Sequence, residues 1–278
     1  MWVVLMIDRI DFMEQARITI LGTGTSCGVP QLGCNCPTCT SSDPRDKRLR
    51  TSVLVEVDDP LAVDGVTRIL LDCGPDFRAQ MLNAGFRRLD AIFLTHEHYD
   101  HVGGIDDIRP FSVFGDMTIY ADNYCATHLI QRIPYCFTPK DRRYPGVPRI
   151  DLEEVKPGVL QQVNGVEVLP VMVYHGKLPI MAYRIGRFAY VTDMKTIDPS
   201  QERLLQGVTH MVVNGLRHET HPTHQTIDEA IAFADRLKVE EAYVVHMSHH
   251  VQPHEKESAL MPPHRHLSYD GLTFNCMV

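Results

Sequence analysis

The run Thr95-His96-Glu97-His98-Tyr99-Asp100-His101 constrains this chain more than any other feature, because it places three imidazoles and the Asp100 carboxylate within six residues, directly after the apolar stretch 91–94. Neutral imidazole and carboxylate are ordinary ligands of zinc and similar divalent ions. A solvated polar loop can also be rich in histidine, but it has no reason to follow a buried strand or to run into Gly103-Gly104. In an extended segment His96 and His98 share a face, while Asp100 and His101 can turn to a second position. One loop can thus serve two metals if other strand ends deliver further ligands. His175 after 166–174, Asp193 after 189–192 and His246 after 242–245 each stand at such an end. A lone histidine is more often a hydrogen-bonding residue than a ligand, so it is the three matching placements together that argue for a shared site.

The rest of the chain supplies the frame. Its 278 residues, 44% hydrophobic and 22% charged, suffice for a full core, and no stretch of about eighteen apolar residues is present to span a bilayer. Alternation and turn signals predict strands over 17–21, 52–57, 68–71, 91–94, 166–173, 182–185, 189–192, 210–214 and 242–246, with helices over 76–84 and 226–237. Asp64-Gly65 is the expected hairpin turn between the second and third strands. The segment 125–149 mixes aromatics, prolines and basic residues without a period, and reads as a loop or lid over a site, or equally as a surface excursion. Residues 1–16 begin apolar but are interrupted by Asp8 and Asp11, and read as an N-terminal extension rather than a signal segment. Residues 17–278 read as one α/β domain with two sheets. With no secretory signal, a cytoplasmic location is expected. A net charge of −8 gives no positive field for long nucleic acid, which favours a small substrate. Of eight cysteines, Cys27, Cys34, Cys36 and Cys39 fall within thirteen residues, a density that suggests metal binding before disulfides.

With these residues in view, the chain resembles the metallo-β-lactamase superfamily, whose signature is His-x-His-x-Asp-His followed by a distant His, a bridging Asp and a final His. The resemblance implies an αββα sandwich with the site at one edge of the two sheets. It also implies that one divalent ion takes His96, His98 and His175, that a second takes Asp100, His101 and His246, and that Asp193 bridges them. Zinc and manganese both suit those ligands.

The amino-terminal segment narrows the resemblance. Gly22-Thr23-Gly24-Thr25-Ser26-Cys27-Gly28-Val29-Pro30 and Gly33-Cys34-Asn35-Cys36-Pro37-Thr38-Cys39 are similar to the subgroup that contains the phosphoribosyl cyclic phosphodiesterase. In that subgroup three cysteines and a carboxy-terminal histidine hold a structural zinc, which here implies Cys34, Cys36, Cys39 and His249. Three thiolates and one imidazole make a closed tetrahedral site with no open position for substrate.

His221 and His224 precede the helix expected from 226, and adjacent imidazoles at a helix amino terminus suit a phosphate. By resemblance His224 contacts the substrate phosphate and donates a proton to the departing oxygen, although a helix-entry histidine can also be purely structural. His218 is a weaker candidate, and His250, His254, His264 and His266 are expected on exposed loops. Asp72 matches a position that orients a ligand histidine. The implied activity is a metal-dependent hydrolase that cleaves a small cyclic or nucleotide-like phosphodiester with a metal-bridging hydroxide. It requires two divalent ions and one structural zinc, and involves no membrane; a homodimer is compatible with it. Alternatives are RNA processing like ribonuclease Z, a cofactor-biosynthesis role like the pyrroloquinoline quinone relative, thioester or lactam hydrolysis, and a noncatalytic metal-binding module.

Overall fold

Alternation along the strands explains why they stack in layers. In β2 (Ser52–Asp58), Val53, Val55 and Val57 join one hydrophobic cluster while Leu54 joins another, because successive side chains leave a strand on opposite faces. A sheet apolar on both faces must be covered on both.

The computed structural model describes residues 14–85, 87–142 and 144–278. Among them, fourteen strands form two seven-stranded sheets. The first contains β1 (Gln15–Gly22), β2, β3 (Val66–Leu71), β4 (Ala91–Phe93), β5 (Met117–Ala121) and β6 (Ile150–Glu154), and the last strand, β14 (Thr273–Met277), returns to pair with β1. The second runs from β7 (Gln161–Val163) through β8 (Val166–His175), β9 (Leu178–Ile185), β10 (Phe188–Val191), β11 (His210–Asn214) and β12 (Glu241–Val245) to β13 (Arg265–Leu267). The central core lies between the sheets, where Ile18, Val55, Ile69 and Phe93 meet Val168, Tyr183, Phe188 and Tyr190. The helices α1 (Phe77–Ala84), α2 (Tyr99–Val102) and α3 (Asn123–Arg132) follow strands of the first sheet, and Phe77, Met81, Cys125 and Leu129 pack on its outer face. After α4 (Pro199–Glu202), α5 (Ile227–Arg236) covers the second sheet through Ala230, Phe233 and Ala234, and α6 (His254–Ser258) follows β12. This is the expected αββα sandwich.

β3, β4 and β5 are parallel, as are β10, β11 and β12. Their carboxyl ends therefore face one rim, the usual place for a site in α/β sheets. Three sequence readings change. The segment 125–149 is not a plain loop: α3 covers its first third, with Asp122 accepting from the Cys125 amide at 2.9 Å as its N-cap. β1 starts at Gln15, two residues inside the supposed extension, whose residues 1–13 lie outside the described ones. His254 is buried rather than exposed on a loop, with its ring against Tyr269 and its amide donating to Asp46 at 2.8 Å. Among the described residues no helix is long and apolar enough to cross a membrane.

Candidate metal centre

Three non-glycine residues at this rim, Asp72, Asp193 and His246, adopt left-handed backbone with φ of 61°, 57° and 57°. L-residues occupy that region at a cost of about 1–3 kcal/mol, tolerated where the fold needs a side chain aimed in one direction. Each follows a strand and turns its side chain back across the rim.

Asp72 is fully buried and organises the site. Its carboxylate accepts from the Thr95 amide at 2.8 Å and hydroxyl at 3.0 Å, from Tyr190 Oη at 2.9 Å and from His101 Nδ1 at 2.7 Å. The Thr95 hydroxyl has only one proton, given to Asp72, so at 2.9 Å it accepts the Nδ1 proton of His96. One carboxylate thereby sets the tautomer of two histidines and bares the Nε2 of each. His175 is set the same way, with Nδ1 3.0 Å from the carbonyls of both Asp193 and Thr223. His246 is held by Thr25 Oγ1 at 3.0 Å from Nε2 and by Asp193 Oδ1 at 3.0 Å from Nδ1.

These bare nitrogens converge with carboxylates. Donor atoms of Asp100, His101, Asp193 and His246 all lie within 4.8 Å of one another, as do those of His175, Asp193 and His224. His96 Nε2 is 3.0 Å from His98 Nδ1 and 3.8 Å from Asp193 Oδ2, so both histidines stand beside the second group. His101 Nε2 is buried without a hydrogen-bond partner, 3.3 Å from Asp100 Oδ2 and 3.4 Å from Asp193 Oδ1. An unpartnered imidazole nitrogen between two buried carboxylates is a costly arrangement that a cation resolves. The donor set therefore fits divalent ions. Electrostatics agree in direction: burial alone would lower the pKa of His101, but Asp193, Asp100 and Asp72 outweigh it and raise it well above the ordinary value. Burial also opposes ionisation of Asp193 and Asp100, yet the surrounding histidines hold both carboxyls below the usual range. His96 is driven well down by burial and by His101.

All seven residues read as ligands from the sequence meet here, and His224 stands closer than that reading placed it. Its Nδ1 is buried, unpartnered and 3.9 Å from Asp193 Oδ2, and its ring centroid is 4.5 Å from that of His175. Burial, with His246 and His175 nearby, lowers its pKa to about 3, so the free site holds it neutral. His221 lies 5.1 Å from His224 between centroids, and its Nδ1 accepts from the Thr223 amide at 3.3 Å, which leaves Nε2–H as a donor. Thr25, Thr95 and Tyr190 were not singled out from the sequence. Thr95 opens the histidine motif and Thr25 sits in the glycine-rich start, but only the tertiary fold discloses their partners.

Backbone crowding also serves the site. A Cβ on Gly74 would lie 2.2 Å from the carbonyl oxygen of Asp100, so only glycine lets the loop after β3 press against the motif.

The fold also brings together the four residues that the resemblance implied for a second cluster. Cys34 Sγ and Cys36 Sγ lie 3.2 and 3.5 Å from His249 Nδ1, and one ligand atom from each of Cys34, Cys36, Cys39 and His249 lies within 4.8 Å of the others. The amides of Cys36 and Cys39 donate to Cys34 Sγ at 3.5 Å and Cys36 Sγ at 3.4 Å, and Gln31 N donates to Cys39 Sγ at 3.3 Å. Burial opposes the Cys36 thiolate, but His249 and these contacts outweigh it and bring its pKa to about 6; burial lifts Cys39 to about 11. Amide donors on sulfur and a low thiol pKa suit thiolates around a zinc ion. Cys27 lies outside the cluster and is exposed.

Residues 67–247 match the family model described as a beta-lactamase superfamily domain. The chain belongs to that superfamily, in its metallo-β-lactamase fold. An octanoyltransferase of Porphyromonas gingivalis is 43% identical over 257 residues, which are 92% of this chain but only 51% of that protein. This superfamily member thus spans about half the length of that curated relative. The crystal structure of a new diphosphatase from the PhnP family is 36% identical, with a TM-score of 0.85 over 95% of this chain and 98% of that one. Zinc-bound PqqB from Methylobacterium extorquens, 18% identical with a TM-score of 0.72 over 93% of this chain and 99% of its own, shares the fold.

Proposed function

We propose that this metallo-β-lactamase-fold hydrolase is a dinuclear phosphodiesterase that cleaves a small cyclic or nucleotide-like phosphodiester. The observation that carries the reading is the sharing of Asp193 by two adjacent donor groups, one with Asp100, His101 and His246, the other with His175, His224 and the neighbouring His96 and His98. Two divalent ions, if held by these residues, would supply a water nucleophile at neutral pH and offset charge at phosphorus. In the proposal His96, His98 and His175 hold one ion, Asp100, His101 and His246 the other, with Asp193 between them. The chain's own part is to fix these groups. Asp72, Thr95 and the carbonyls of Asp193 and Thr223 hold the Nδ1 protons of His101, His96 and His175, so the Nε2 atoms of these three histidines carry free lone pairs before an ion binds. His221 offers Nε2–H, and His224 stands beside the cluster, where each can hydrogen-bond a phosphoryl oxygen. His224 is also assigned to protonate the departing oxygen, a role that requires the negative charge of a bound phosphate to raise its pKa from the low value of the free site. The similarity to the diphosphatase supports phosphorus over carbon as the centre attacked.

The octanoyltransferase name belongs to a protein about half of which has no counterpart here. Cys34, Cys36, Cys39 and His249 are assigned a structural zinc, and the protein is read as cytoplasmic, without a long nucleic-acid partner.

Metal content and hydrolysis of bis(p-nitrophenyl) phosphate, compared between wild type and Asp100→Ala, test the reading. About three ions per chain with activity in the wild type alone supports it. A fully loaded but inert wild type sinks the phosphodiester and turns attention to thioesters and lactams.

A further inference from the structure

Tyr99 stands between two residues of the metal centre in the chain and is itself exposed. His98 precedes it and Asp100 follows it, yet Tyr99 is 59% exposed while Asp100 and His101 are buried. An exposed tyrosine by itself is unremarkable, since single apolar groups are scattered over every surface. What sets this one apart is its company.

The guanidinium of Arg132 lies over its ring, 5.8 Å from the centroid, within the range of a cation–π contact. Arg132 ends α3, and Tyr124 and His128 stand eight and four residues before it. Residues four apart share a helix face. Tyr124 is 48% exposed and its ring centroid is 4.2 Å from that of His128. The face thus presents a row of flat π groups, Tyr124, His128 and Arg132, that ends on Tyr99 at the edge of the metal centre. Charge follows the same segment: residues 123–149 hold five lysines and arginines against one acid, in a chain whose net charge is −8.

From this arrangement we infer that Tyr99 and Arg132 form a shelf for the aromatic base of a nucleotide whose phosphate sits at the metal centre. Every nucleobase has a π face, and stacking on an aromatic ring binds it whatever its sequence identity. Adjacent Cα atoms are about 3.8 Å apart, so the Tyr99 ring is carried by the residue next to Asp100, whose carboxylate belongs to the donor group at the metal centre. The arginine adds attraction for the base and for a second phosphoryl oxygen. The inference names the substrate class of the phosphodiesterase reading and rests on it for the position of the phosphate.

Calorimetry with the metal-loaded full chain separates the two. Adenosine 5′-monophosphate and ribose 5-phosphate share the phosphate and differ in the base. The shelf predicts that the nucleotide binds about tenfold or more tightly than the sugar phosphate. Tyr99→Ala and, independently, Arg132→Ala reduce that ratio several-fold, and Tyr99→Phe retains it. Arg132→Ala lies at the exposed end of α3 and keeps the test available if Tyr99→Ala disturbs the motif. Equal affinity in the wild type, no binding of either compound, or a preference that survives both alanine variants overturns the shelf. Hydrolysis of methyl p-nitrophenyl phosphate, which has no base, judges the phosphodiesterase reading separately: turnover of this ester with equal affinities leaves the activity standing and removes only the base site.

Discussion

Asp72 Oδ2 accepts the Nδ1 proton of His101 at 2.7 Å while Asp72 Oδ1 accepts from the Thr95 hydroxyl that in turn holds His96, so one buried carboxylate orients a ligand histidine in each half of the proposed centre. Asp72→Asn keeps the shape but offers an amide N–H₂ to one side, where both His101 and Tyr190 donate. His101 must then change tautomer or lose its partner. Metal affinity should fall about 10- to 100-fold, measured by competition with a chelator, with activity at limiting metal falling in parallel. Unchanged affinity would refute the relay.

Gly74→Ala tests the close approach of backbone to motif. The new Cβ would start 2.2 Å from the Asp100 carbonyl oxygen, and neither partner is the free end of a side chain. Thermal unfolding should show a loss of about 2 kcal/mol or more. Metal stoichiometry should fall with it, because the backbone displaced from Gly74 is that of Asp100 at the start of α2. A variant with wild-type stability would mean the loop can move aside at little cost.

What could be read from the sequence followed local chemistry. The histidine motif, the cysteine spacing and the strand-end positions of His175, Asp193 and His246 are local, and each residue reaches the site proposed for it. The helix start at Thr226 is local too, with Asp228 and Glu229 in its first turn, and the structure closes a capping box between Thr226 and Glu229. The missed elements depend on distant partners. β5 and β6 pair with each other and with β4, and β14 pairs with β1 from the other end of the chain. α3 was hidden by the aromatic and β-branched residues around it, which weaken local helical preference. The left-handed backbone of Asp72, Asp193 and His246 could not be read either, since nothing about an aspartate or histidine in sequence marks a positive φ.

The cysteine cluster links the start of the chain to the segment bearing His246, because His249 follows that residue by three. Thr25 N donates to the Met247 carbonyl at 3.1 Å and Met247 N to the Thr23 carbonyl at 2.9 Å, so the two segments are also stitched by backbone. Cys36→Ala should release one ion per chain and lower the melting temperature by about 5 °C or more. The two-ion centre should remain loadable at higher metal concentration, because none of its ligands is removed. Full retention of zinc, read by mass spectrometry, would refute the structural site.

A pH effect on stability separate from the metal centre is expected from His218. Burial lowers its pKa, but the ion pair with Glu257 at 2.7 Å outweighs this and raises it above 6.5. The folded state therefore holds this proton more tightly than the unfolded one. The stabilisation is full below about pH 6.5 and disappears as pH rises through the raised value. His218→Gln should cost about 0.5 kcal/mol at pH 6, a modest figure because the ring is 44% exposed, and almost nothing at pH 9. Denaturant melts at the two pH values check the sign; an equal loss at both would assign the effect to packing.

His224 can be separated from a mere phosphate contact by its dependence on the leaving group. A group that only binds the phosphoryl oxygen helps every ester alike, whereas a proton donor matters most when the departing oxygen is strongly basic. A p-nitrophenolate leaves readily without a proton, and an alkoxide does not. His224→Ala should therefore lower kcat about 10- to 100-fold for bis(p-nitrophenyl) phosphate and at least tenfold more for a cyclic ribose phosphate, whose leaving oxygen is an alkoxide. His221→Ala, which removes only the Nε2–H donor, should penalise both substrates equally and chiefly through KM. Equal losses for His224→Ala on the two substrates would leave it as a binding residue. The alkoxide would then need its proton from another group, and the unpartnered Nδ1 beside Asp193 would be better read as an additional metal ligand.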